Sequence, residues 1–467
     1  MIGLQETKSL APRRASGVAW FGEIPQHWRC EHLKRFTKRI QAGMTPPTNT
    51  PEYYCDGTIP WFSPGSFNGD IDLREPRKLI NELARSEDDL RIFPGETVFL
   101  VGIGATIGNV GLVSAEASCN QQLIGIVCGH QMHSRFLAYQ FKIYEDVIPG
   151  IATMTTLPIF DQVETGYLPT LQPPFEDQQR IAVYLDASCA AIDAAVAAKR
   201  RQLETLDQLR KSTIHGTVTR GLNPTEHYRT SNIGWFGDIP QHWHCEHLKR
   251  LATRIQTGVT PPTDNPDYYL DGTIPWFSPG SYNGDIELRE PRKLINELAR
   301  KEGALRIFPG GTVFLVGIGA TIGKVGLVPM EASCNQQIIG IVCGHRMNSR
   351  YLAYQFKIYE DIIPGIASAT TLPIFDQVKT GYLPTLQPPL DEQEAISAYL
   401  DMKLDEIRNI VNNIEAQINT LTAYRKSLIH ECVTGQRRIT EADVARLGGG
   451  MYSPNTSEPS HGLAGEI

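Results

Sequence analysis

Trp61-Phe62-Ser63-Pro64-Gly65-Ser66 returns unchanged, 215 positions later, as Trp276-Phe277-Ser278-Pro279-Gly280-Ser281. The match extends without a gap over residues 20–186, where 132 of 167 aligned positions are identical. A chain that contains one large domain twice presents the same surface twice. Such a pair suits a target with two equivalent parts, so it favours a reader of a two-fold object, such as duplex DNA, over an enzyme with one active site.

The composition is ordinary for a soluble globular protein. A chain of 467 residues, 41% apolar and 20% charged, is long enough for about two to four domains. It has no unbroken apolar run of about eighteen residues, and the start at Met1 lacks the basic and apolar regions of a secretory signal. Nine cysteines without a C-x-x-C pair fit reduced thiols. We therefore expect a cytoplasmic protein without a membrane span.

The charge gives a weak argument about the target. A net charge of −7 weighs mildly against nucleic-acid binding, because phosphate contacts need lysine and arginine. Local distribution matters more than the sum, and residues 34–39 and 199–201 are strongly basic.

The first part of each repeat reads as a mixed α/β domain. Residues 92–101 are typical of a turn that feeds a strand, and 110–113 and 122–127 of further short strands. Residues 134–145 predict a helix with Ser134 as its cap.

The second part of each repeat predicts a long helix. It begins after Pro173-Pro174, because proline cannot lie inside a helix, and apolar residues then follow at steps of three, four and seven. About forty helical residues would span roughly 60 Å and must bury this stripe against something. We expect the two long helices to pair as an antiparallel coiled coil; the alternative is that each stripe packs on its own globular domain. Residues 187–209 and 402–424 share little sequence, which favours pairing of one helix with the other.

These patterns predict an α/β (α+β) fold class: two near-identical globular modules separated by two long antiparallel coiled-coil helices. The expected segments are an N-terminal segment 1–19, module 1 at 20–174, a helix at 175–218, a linker at 219–234, module 2 at 235–389, a helix at 390–433 and a disordered tail at 434–467.

The order of several short motifs resembles a known family. The motifs are Trp20 to Trp28, Gly43-x-Thr45-Pro46, Ile59-Pro60-Trp61, the glycine-rich turn Gly102 to Gly108, Asn120-Gln121-Gln122, and Pro173-Pro174 followed by Gln178 and Tyr184-Leu185-Asp186. Each recurs in the second repeat. Together they resemble the specificity subunits of type I restriction–modification systems, over residues 16 to about 440.

The resemblance implies two target-recognition domains and two conserved-region helices, with each domain reading one half of a split site in double-stranded DNA. It also implies that the subunit does no chemistry and holds no cofactor. Two modification subunits would methylate adenine, and restriction subunits would translocate and cut the DNA. Family members often carry two unlike recognition domains. Here the modules are near copies, so we expect the two half-sites to form an interrupted palindrome, or nearly one.

Three motifs imitate other chemistry. Gln172-Pro173-Pro174-Phe175 is similar to the Asn/Asp-Pro-Pro-aromatic motif of amino-methylating enzymes, but Gln is too long and the other copy ends in Leu390, so a helix start is the preferred interpretation. The turn Gly102 to Gly108 lacks the residues of a phosphate-binding loop of the Walker type; it is either a plain turn or a turn close to DNA. His27, Cys30 and His32 are too few for a zinc site, so no metal is predicted.

Candidate DNA-binding residues fall into two chemical groups. Polar loop residues could contact bases or phosphates. They are Thr45, Thr48, Ser63, Ser66, Asn68, Thr106, Asn120, Gln121 and Gln122, with Thr260, Thr263, Ser278, Ser281, Asn283, Thr321, Asn335, Gln336 and Gln337. Basic residues could contact the DNA backbone. They are Lys34, Arg35, Lys38, Arg39, Arg74, Arg77 and Lys78, with Lys249, Arg250, Arg254, Arg289, Arg292 and Lys293. The Asn-Gln-Gln amides could instead satisfy buried backbone.

Two other functions compete with DNA recognition. A stand-alone adenine-specific DNA methyltransferase would need an intact cofactor loop and an acidic-Pro-Pro-aromatic motif, and neither is present. A scaffold whose repeats bind only protein would account for the duplication without DNA.

Overall fold

A computed structural model of the chain describes residues 12–47, 49–87, 90–152, 159–367 and 374–448. The chain divides into two compact units: unit 1 comprises residues 1–198 and 417–467, and unit 2 comprises residues 199–416. Each unit therefore contains one module, the first part of the long helix that follows it, and the last part of the other long helix.

Unit 1 contains twelve strands in its described part. They are β1 (Arg13–Ala15), β2 (Glu23–Pro25), β3 (Arg29–His32), β4 (Thr37–Ala42), β5 (Ile59–Phe62), β6 (Lys78–Ile80), β7 (Ile92–Phe93), β8 (Thr97–Val101), β9 (Val110–Val113), β10 (Ala117–Cys119), β11 (Leu123–Cys128) and β12 (Pro169–Gln172). The helices that begin here are α1 (Glu82–Glu87), α2 (Ser134–Ile151), α3 (Gln162–Gly166) and α4 (Phe175–Arg220).

Unit 2 repeats this order. Its strands are β13 (Tyr228–Thr230), β14 (Asp238–Pro240), β15 (His244–His247), β16 (Ala252–Thr257), β17 (Ile274–Phe277), β18 (Lys293–Ile295), β19 (Ile307–Phe308), β20 (Thr312–Val316), β21 (Val325–Val328), β22 (Ala332–Cys334), β23 (Ile338–Cys343) and β24 (Pro384–Gln387). Its helices are α5 (Glu297–Lys301), α6 (Ser349–Tyr359), α7 (Ile363–Ala367), α8 (Gln377–Gly381) and α9 (Leu390–Val433), after which α10 (Glu441–Gly448) belongs to unit 1.

Two four-stranded sheets form the body of each module. Sheet A of module 1 has the order β4-β11-β8-β9 and is antiparallel throughout. Sheet B has the order β6-β5-β10-β7, with β5 and β10 parallel. Module 2 has the same strand orders, β16-β23-β20-β21 and β18-β17-β22-β19.

Strands β8, β9 and β11 of sheet A are largely buried on both faces, which explains why they are mostly apolar, whereas the edge strand β4 is more polar and less buried. Val98 and Leu100 of β8 share a core with Phe136 of α2, whereas the alternate residues Phe99 and Val101 share a core with sheet B. Side chains of a strand point to opposite faces in turn, so one apolar strand serves both cores. The module is therefore built in three layers: helix, sheet A and sheet B.

The strands predicted in module 1 are confirmed with small shifts. The predicted strand 110–113 is β9, 122–127 is β11, and 92–101 contains β7, a turn with Glu96 at φ 62°, and β8. The cap of α2 is a correction. Ser134 is the first helical residue, and the imidazole of His133 accepts the hydrogen bond from the Phe136 amide at 3.4 Å. Asn348 has this role in module 2.

The long helices contribute to the core of each unit. In unit 1 Ile181 and Leu185 of α4 lie in one core with Leu428 and Val433 of α9. Cys189 lies near Cys432, and the Arg425 guanidinium is 3.0 Å from the Asp193 carboxylate, so the helices run antiparallel within this unit.

The same pairing occurs inside unit 2 with the other ends of the two helices. Ile214 and Val218 of α4 share a core with Ile396 and Leu400 of α9. Both cores also include module residues, so the predicted helix pairing and its alternative, packing on a globular domain, occur together.

The helix α4 is relevant to the expectation that the chain has no membrane span. One window of its 46 residues reaches a mean hydropathy of 1.6, enough by length and composition to cross a membrane. This stretch is rich in alanine and contains charged residues, so it is not an unbroken apolar run. Of this window 33% is buried, and Ile181, Leu185 and Ile192 of α4 lie in the core of unit 1.

The segments outside the modules are more ordered than expected. In the N-terminal segment β1 pairs with β2, and in the linker β13 pairs with β14. The tail predicted to be disordered contains α10, and Ile439 and Val444 pack against the core of unit 1. Residues 449–467 lie outside the described part of the chain.

Candidate nucleic-acid interface

Several polar loops of module 1 meet at one end of sheet A. Three lie where β4 ends, between β8 and β9, and before β11; the fourth precedes α3. Backbone hydrogen bonds join them: the Gly43 amide donates to Leu123 O, the Gly102 amide to Gln122 O and the Phe160 amide to Gly102 O, each at 2.8 Å. We call this surface, residues 43–47, 49–50, 102–109, 120–122 and 159–162, the reading rim. Module 2 has the equivalent rim 215 positions later.

Two side chains, those of Trp61 and Arg91, support the backbone of the loop after β4. The Trp61 indole donates to Met44 O at 3.1 Å, and the Arg91 guanidinium donates to Ala42 O at 2.6 Å. A Cβ on Gly43 would lie 2.2 Å from Cys119 O, so only glycine fits there. Trp61 of the repeated motif thus supports the backbone of the rim.

The three side chains of the Asn120-Gln121-Gln122 cluster differ in exposure: Asn120 is buried, Gln122 is half-buried and Gln121 is exposed. Asn120 is 7% exposed; its amide donates to Gln122 Oε1 at 2.9 Å and accepts from the Gln122 amide at 3.2 Å. Gln121 is exposed, and the Thr45 hydroxyl donates to its Oε1. The equivalent bond in module 2, from Thr260 to Gln336, is 2.5 Å long. The geometry therefore favours Gln121 and Gln336 for contacting a target, and gives Asn120 and Asn335 a structural part.

The glycine-rich turn brings two small side chains to the rim. Gly104 and Gly108 have φ of 106° and 92°, a left-handed conformation that favours glycine. Ala105 and Thr106 are exposed at its tip. A Cβ on Gly108 would lie 3.3 Å from the backbone of Glu145, so the turn packs tightly on α2 and leaves its tip facing solvent.

A basic cavity of about 420 Å³ lies beside the rim of module 1. It is lined by Lys34, Lys38 and Arg39 on one side and by Gln162 and Tyr167 on the other. The Lys34 ammonium lies 3.6 Å from the centre of the Tyr167 ring, and this contact lowers the pKa of the exposed phenol. The side chain of Gln162 accepts from the Ala42 amide at 3.2 Å, which joins the cavity to the rim.

Not every predicted basic residue is available to a target. The Arg39 guanidinium donates to Ile92 O at 2.6 Å and lies 4.1 Å from the centre of the Phe93 ring; burial lowers its pKa. Arg254 repeats this contact with Ile307 O at 2.7 Å. Arg35 forms an ion pair with Glu31 at 2.6 Å. Lys38 is exposed, but its counterpart in module 2 is Thr253.

The remaining candidates lie on the arm, residues 63–80, which follows β5 next to the rim: the Asn120 amide donates to Phe62 O at 3.0 Å. Ser63 and Ser66 cap one turn, and Asn68 holds the Asp70 amide at 3.0 Å. The arm also presents exposed basic side chains. They are Arg74, which is 3.5 Å from Asp72, Arg77, and Lys78, which lies over the Tyr54 ring.

The arm of module 2 has the same features. Its residues are Ser278, Ser281, Asn283, Arg289, Arg292 and Lys293. Thr48 lies outside the described residues, and its counterpart Thr263 is exposed.

Residues that the sequence analysis missed are also part of the rim. Arg91 supports it, and Gln162 is exposed on it; their counterparts are Arg306, which donates to Thr257 O, and Gln377. The signal that could have identified Gln162 is its identity in both copies at an exposed position. Exposed positions elsewhere have changed charge, such as Glu164 to Lys379 and Gln179 to Glu394.

The motifs that imitate other chemistry have structural contacts. Gln172 ends β12 and donates to Gln131 at 3.1 Å, and α4 begins at Phe175, as predicted. The His242 imidazole lies 2.7 Å from Glu392 and 3.4 Å from Glu226. In the described part of the chain no group of three or more His, Cys, Asp and Glu side chains is arranged to hold a metal ion.

The fold is thus a duplicated one, with two near-identical α/β modules that each present a polar rim and two long helices that each contribute to both compact units. Residues 36–205 and 240–420 each match the family described as the type I restriction modification DNA specificity domain. These matches cover well over half of the chain. The chain belongs to this family, and the resemblance noted in the sequence is confirmed.

Individual relatives agree with the family. The chain is 24% identical over 434 residues to the type I restriction enzyme MjaIX specificity subunit of Methanocaldococcus jannaschii, covering 90% of this chain and 96% of the relative. It is 21% identical over 436 residues to the putative MjaX specificity subunit of the same organism, covering 90% and 95%.

Solved structures share the fold. A chain from a study of complex assembly and conformational transition of the type I R-M system has a TM-score of 0.70 at 15% identity, covering 89% of this chain and 99% of that one. The HsdS subunit from Thermoanaerobacter tengcongensis has a TM-score of 0.50 at 16% identity, covering 89% and 98%. The predicted fold class, paired α/β modules with long antiparallel helices, is confirmed.

Proposed function

We propose that this chain is the DNA sequence-recognition subunit of a type I restriction–modification complex and that each reading rim reads one half of an interrupted palindrome. The observation that carries the second part is the recurrence of four rim side chains. Ala105, Thr106, Gln121 and Gln162 recur as Ala320, Thr321, Gln336 and Gln377, although surface residues elsewhere have changed. Two rim positions differ in charge, Asn49 against Asp264 and Asn109 against Lys324. Identical side chains on the same backbone fold favour recognition of the same base sequence by both modules.

The partners follow from the family. The curated relatives are named specificity subunits, and such a subunit directs two modification subunits and the restriction subunits to DNA in the cytoplasm. With a net charge of −7, the chain alone would bind DNA weakly, and the modification subunits would supply many of the phosphate contacts.

The competing enzyme function has little support in the structure. A methyltransferase acting alone would need its Pro-Pro motif beside a pocket for a flipped base. Here Gln172-Pro173-Pro174 connects β12 to α4, and the side chain of Gln172 bonds to Gln131. The glycine-rich turn is packed on α2.

The test is a selection from random duplexes. The full chain with its modification subunit is incubated with a pool of random-sequence duplexes at stated salt, and the bound fraction is sequenced. We expect two inverted copies of one half-site at a fixed spacing. Two unrelated half-sites would contradict the palindrome, and enrichment of no split motif would favour the scaffold. Methyl transfer from labelled S-adenosylmethionine by the purified chain alone would show that it is an enzyme.

A further inference from the structure

A cluster of ion pairs joins each module to its long helix, and we call it the helix clamp. In unit 1 Arg135, in the first turn of α2, places Nη2 2.6 Å from Asp72 Oδ1 and Nη1 3.1 Å from Asp186 Oδ1. The Tyr139 hydroxyl donates to Asp186 at 2.7 Å. One guanidinium thus connects the arm of the module, its helix α2 and the long helix α4.

Unit 2 contains the same cluster with different chemistry at one position. Arg350 places Nη1 2.6 Å from Glu287 Oε1 and Nε 2.6 Å from Asp401 Oδ2, and Tyr354 donates to Asp401. The arm carboxylate is Asp72 in one copy and Glu287 in the other, so the side chain is longer by one methylene, yet the ion pair keeps the same length. Both modules therefore keep the ion pair between the arm and the arginine, although the carboxylate differs.

The clamp is rigidly attached to sheet A. The backbone around Asp72 adds to β9, because the Leu73 amide donates to Leu112 O at 2.9 Å and the Leu112 amide donates to Ile71 O at 2.7 Å. Asp72 and Leu112 form a parallel bridge, and Glu287 and Leu327 repeat it. Sheet A also carries the reading rim, so the clamp connects the rim to α4 through hydrogen-bonded backbone.

The clamp is protected enough from water to be effective. Its side chains in unit 2 are 31% (Arg350), 19% (Glu287) and 32% (Asp401) exposed. Hydrogen bonds from Arg350 and then Arg289 lower the pKa of Glu287 and so stabilise its ionised form. Guanidinium–carboxylate bonds of this length fix direction as well as distance.

We propose that the helix clamp fixes the orientation of each reading rim on its long helix and so limits the spacer length that the complex accepts between half-sites. This inference depends on the proposed function. One added base pair moves a half-site by about 3.4 Å and rotates it by about 34–36°. Base contacts need donor–acceptor distances within about 2.7–3.2 Å. When the spacer changes by one base pair, a rim that is fixed on its helix therefore loses its base contacts. A rim that can move on its helix can follow the displaced half-site and keep them. Arg135 and Arg350 are accordingly positioning residues, which need not touch DNA.

The experiment compares spacer preference with half-site preference. The full chain carrying Arg135→Gln and Arg350→Gln, together with the modification subunit, selects from the random duplex pool beside the unaltered complex. The unaltered complex should prefer one spacer over its neighbours by at least about tenfold, the loss expected when a base contact is broken. The variant should lose most of this preference and select the same half-sites.

Two further variants keep the test decisive. Arg85→Gln with Arg300→Gln removes an exposed arginine that pairs with Glu116 or Glu331, and should leave the spacer preference unchanged. Tyr139→Phe with Tyr354→Phe removes one hydrogen bond from each clamp, and should broaden the spacer range partially. If thermal melting shows that the arginine variant is misfolded, the tyrosine variant tests the positioning role of the helix clamp in its place.

The outcomes separate this inference from the proposed function. A uniform loss of binding at all spacers, with the ratio between spacers unchanged, would overturn the clamp as a positioning device. If the unaltered complex selects no split site, the proposed function itself fails. A broadened spacer range with unchanged half-sites supports both.

Discussion

At the scale of single residues, Gln121 and Gln336 have the geometry that base recognition requires. Each side chain is exposed on a rim, and a threonine hydroxyl fixes its amide oxygen. A fixed amide loses less conformational entropy when it binds a base edge than a freely rotating one. The neighbouring Asn120 amide is already satisfied inside the module and has little left to offer a target.

We predict that Gln121→Ala relaxes selection at one half-site and leaves the other unchanged. A good side-chain contact discriminates between bases by about 1–3 kcal/mol, so the preference at one base pair should fall at least several-fold. Gln336→Ala should do the same at the other half-site. Sequencing of selected duplexes measures both.

Gln26→Ala is the matched control for this prediction. Gln26 is an exposed glutamine in the same module, identical in both copies and outside the rim. It should not alter selection. Equal relaxation of both half-sites by Gln121→Ala would count against independent reading by the two modules.

A second prediction concerns Gly43, whose place a larger residue cannot take. Its missing Cβ would lie 2.2 Å from Cys119 O, so Gly43→Ala must displace the rim. We expect a destabilisation of about 1–3 kcal/mol and weaker selection at one half-site. Gly65→Ala is the control, since the nearest atom to its Cβ is 4.0 Å away. Equal melting temperatures for the two variants would contradict this account.

A third prediction concerns pH. Hydrogen bonds from Arg350 and Arg289 lower the pKa of Glu287 in the folded chain, so the ionised carboxylate stabilises the fold above the pKa of the unfolded state. That contribution is lost as pH falls through the lowered pKa. Between neutral pH and about pH 3, the melting temperature of the unaltered chain should fall more steeply than that of the Glu287→Gln variant. If the melting temperatures of the two chains fell in parallel as pH was lowered, the Arg350–Glu287 ion pair would add no stability.

At the scale of elements, the sequence predicts regular structure well where one pattern dominates. The strand 110–113 and the start of α4 at Phe175 follow from apolar runs and from proline. The cap of α2 does not, because serine at 134 is the commoner cap and His133 takes the part only through local geometry. Similarly, three adjacent amides look alike in sequence, and only the fold decides that Asn120 is buried and Gln121 exposed.

The helix α10 offers a fourth prediction. Ile439 just before it is 6% exposed and packs with Val444 on the core of unit 1, whereas Leu447 is 41% exposed. Ile439→Ala should lower the free energy of unfolding by about 2–5 kcal/mol, and Leu447→Ala should change it little. Chemical denaturation measures both. Similar losses for the two variants would mean that α10 is not docked on the core.

At the scale of the whole molecule, the duplication could be predicted from sequence with confidence, because identity over 167 positions needs no structural argument. Which segments of the chain make up each compact unit could not be predicted from sequence. Each unit combines one module with ends of both long helices, and contacts between residues so distant in sequence leave no periodic signal. The Arg135–Asp72–Asp186 cluster was missed for the same reason, since its members lie 51 and 63 positions apart.

A fifth prediction concerns the long helices as a measure of distance. Removal of seven residues from α4 and of seven from α9 keeps the apolar stripes nearly in phase and shortens each helix by about 10 Å. The complex should then select the same half-sites at a shorter spacing. Selection from random duplexes measures this. An unchanged spacing would show that the helices do not set it.

The contact of β1 with the segment after α9 has one further consequence. The Arg13 guanidinium donates to Gly435 O at 2.9 Å, two residues after α9 ends at Val433. Unit 1 is thus assembled from segments on both sides of unit 2 in the sequence, so its core cannot be completed before α9 has been synthesised.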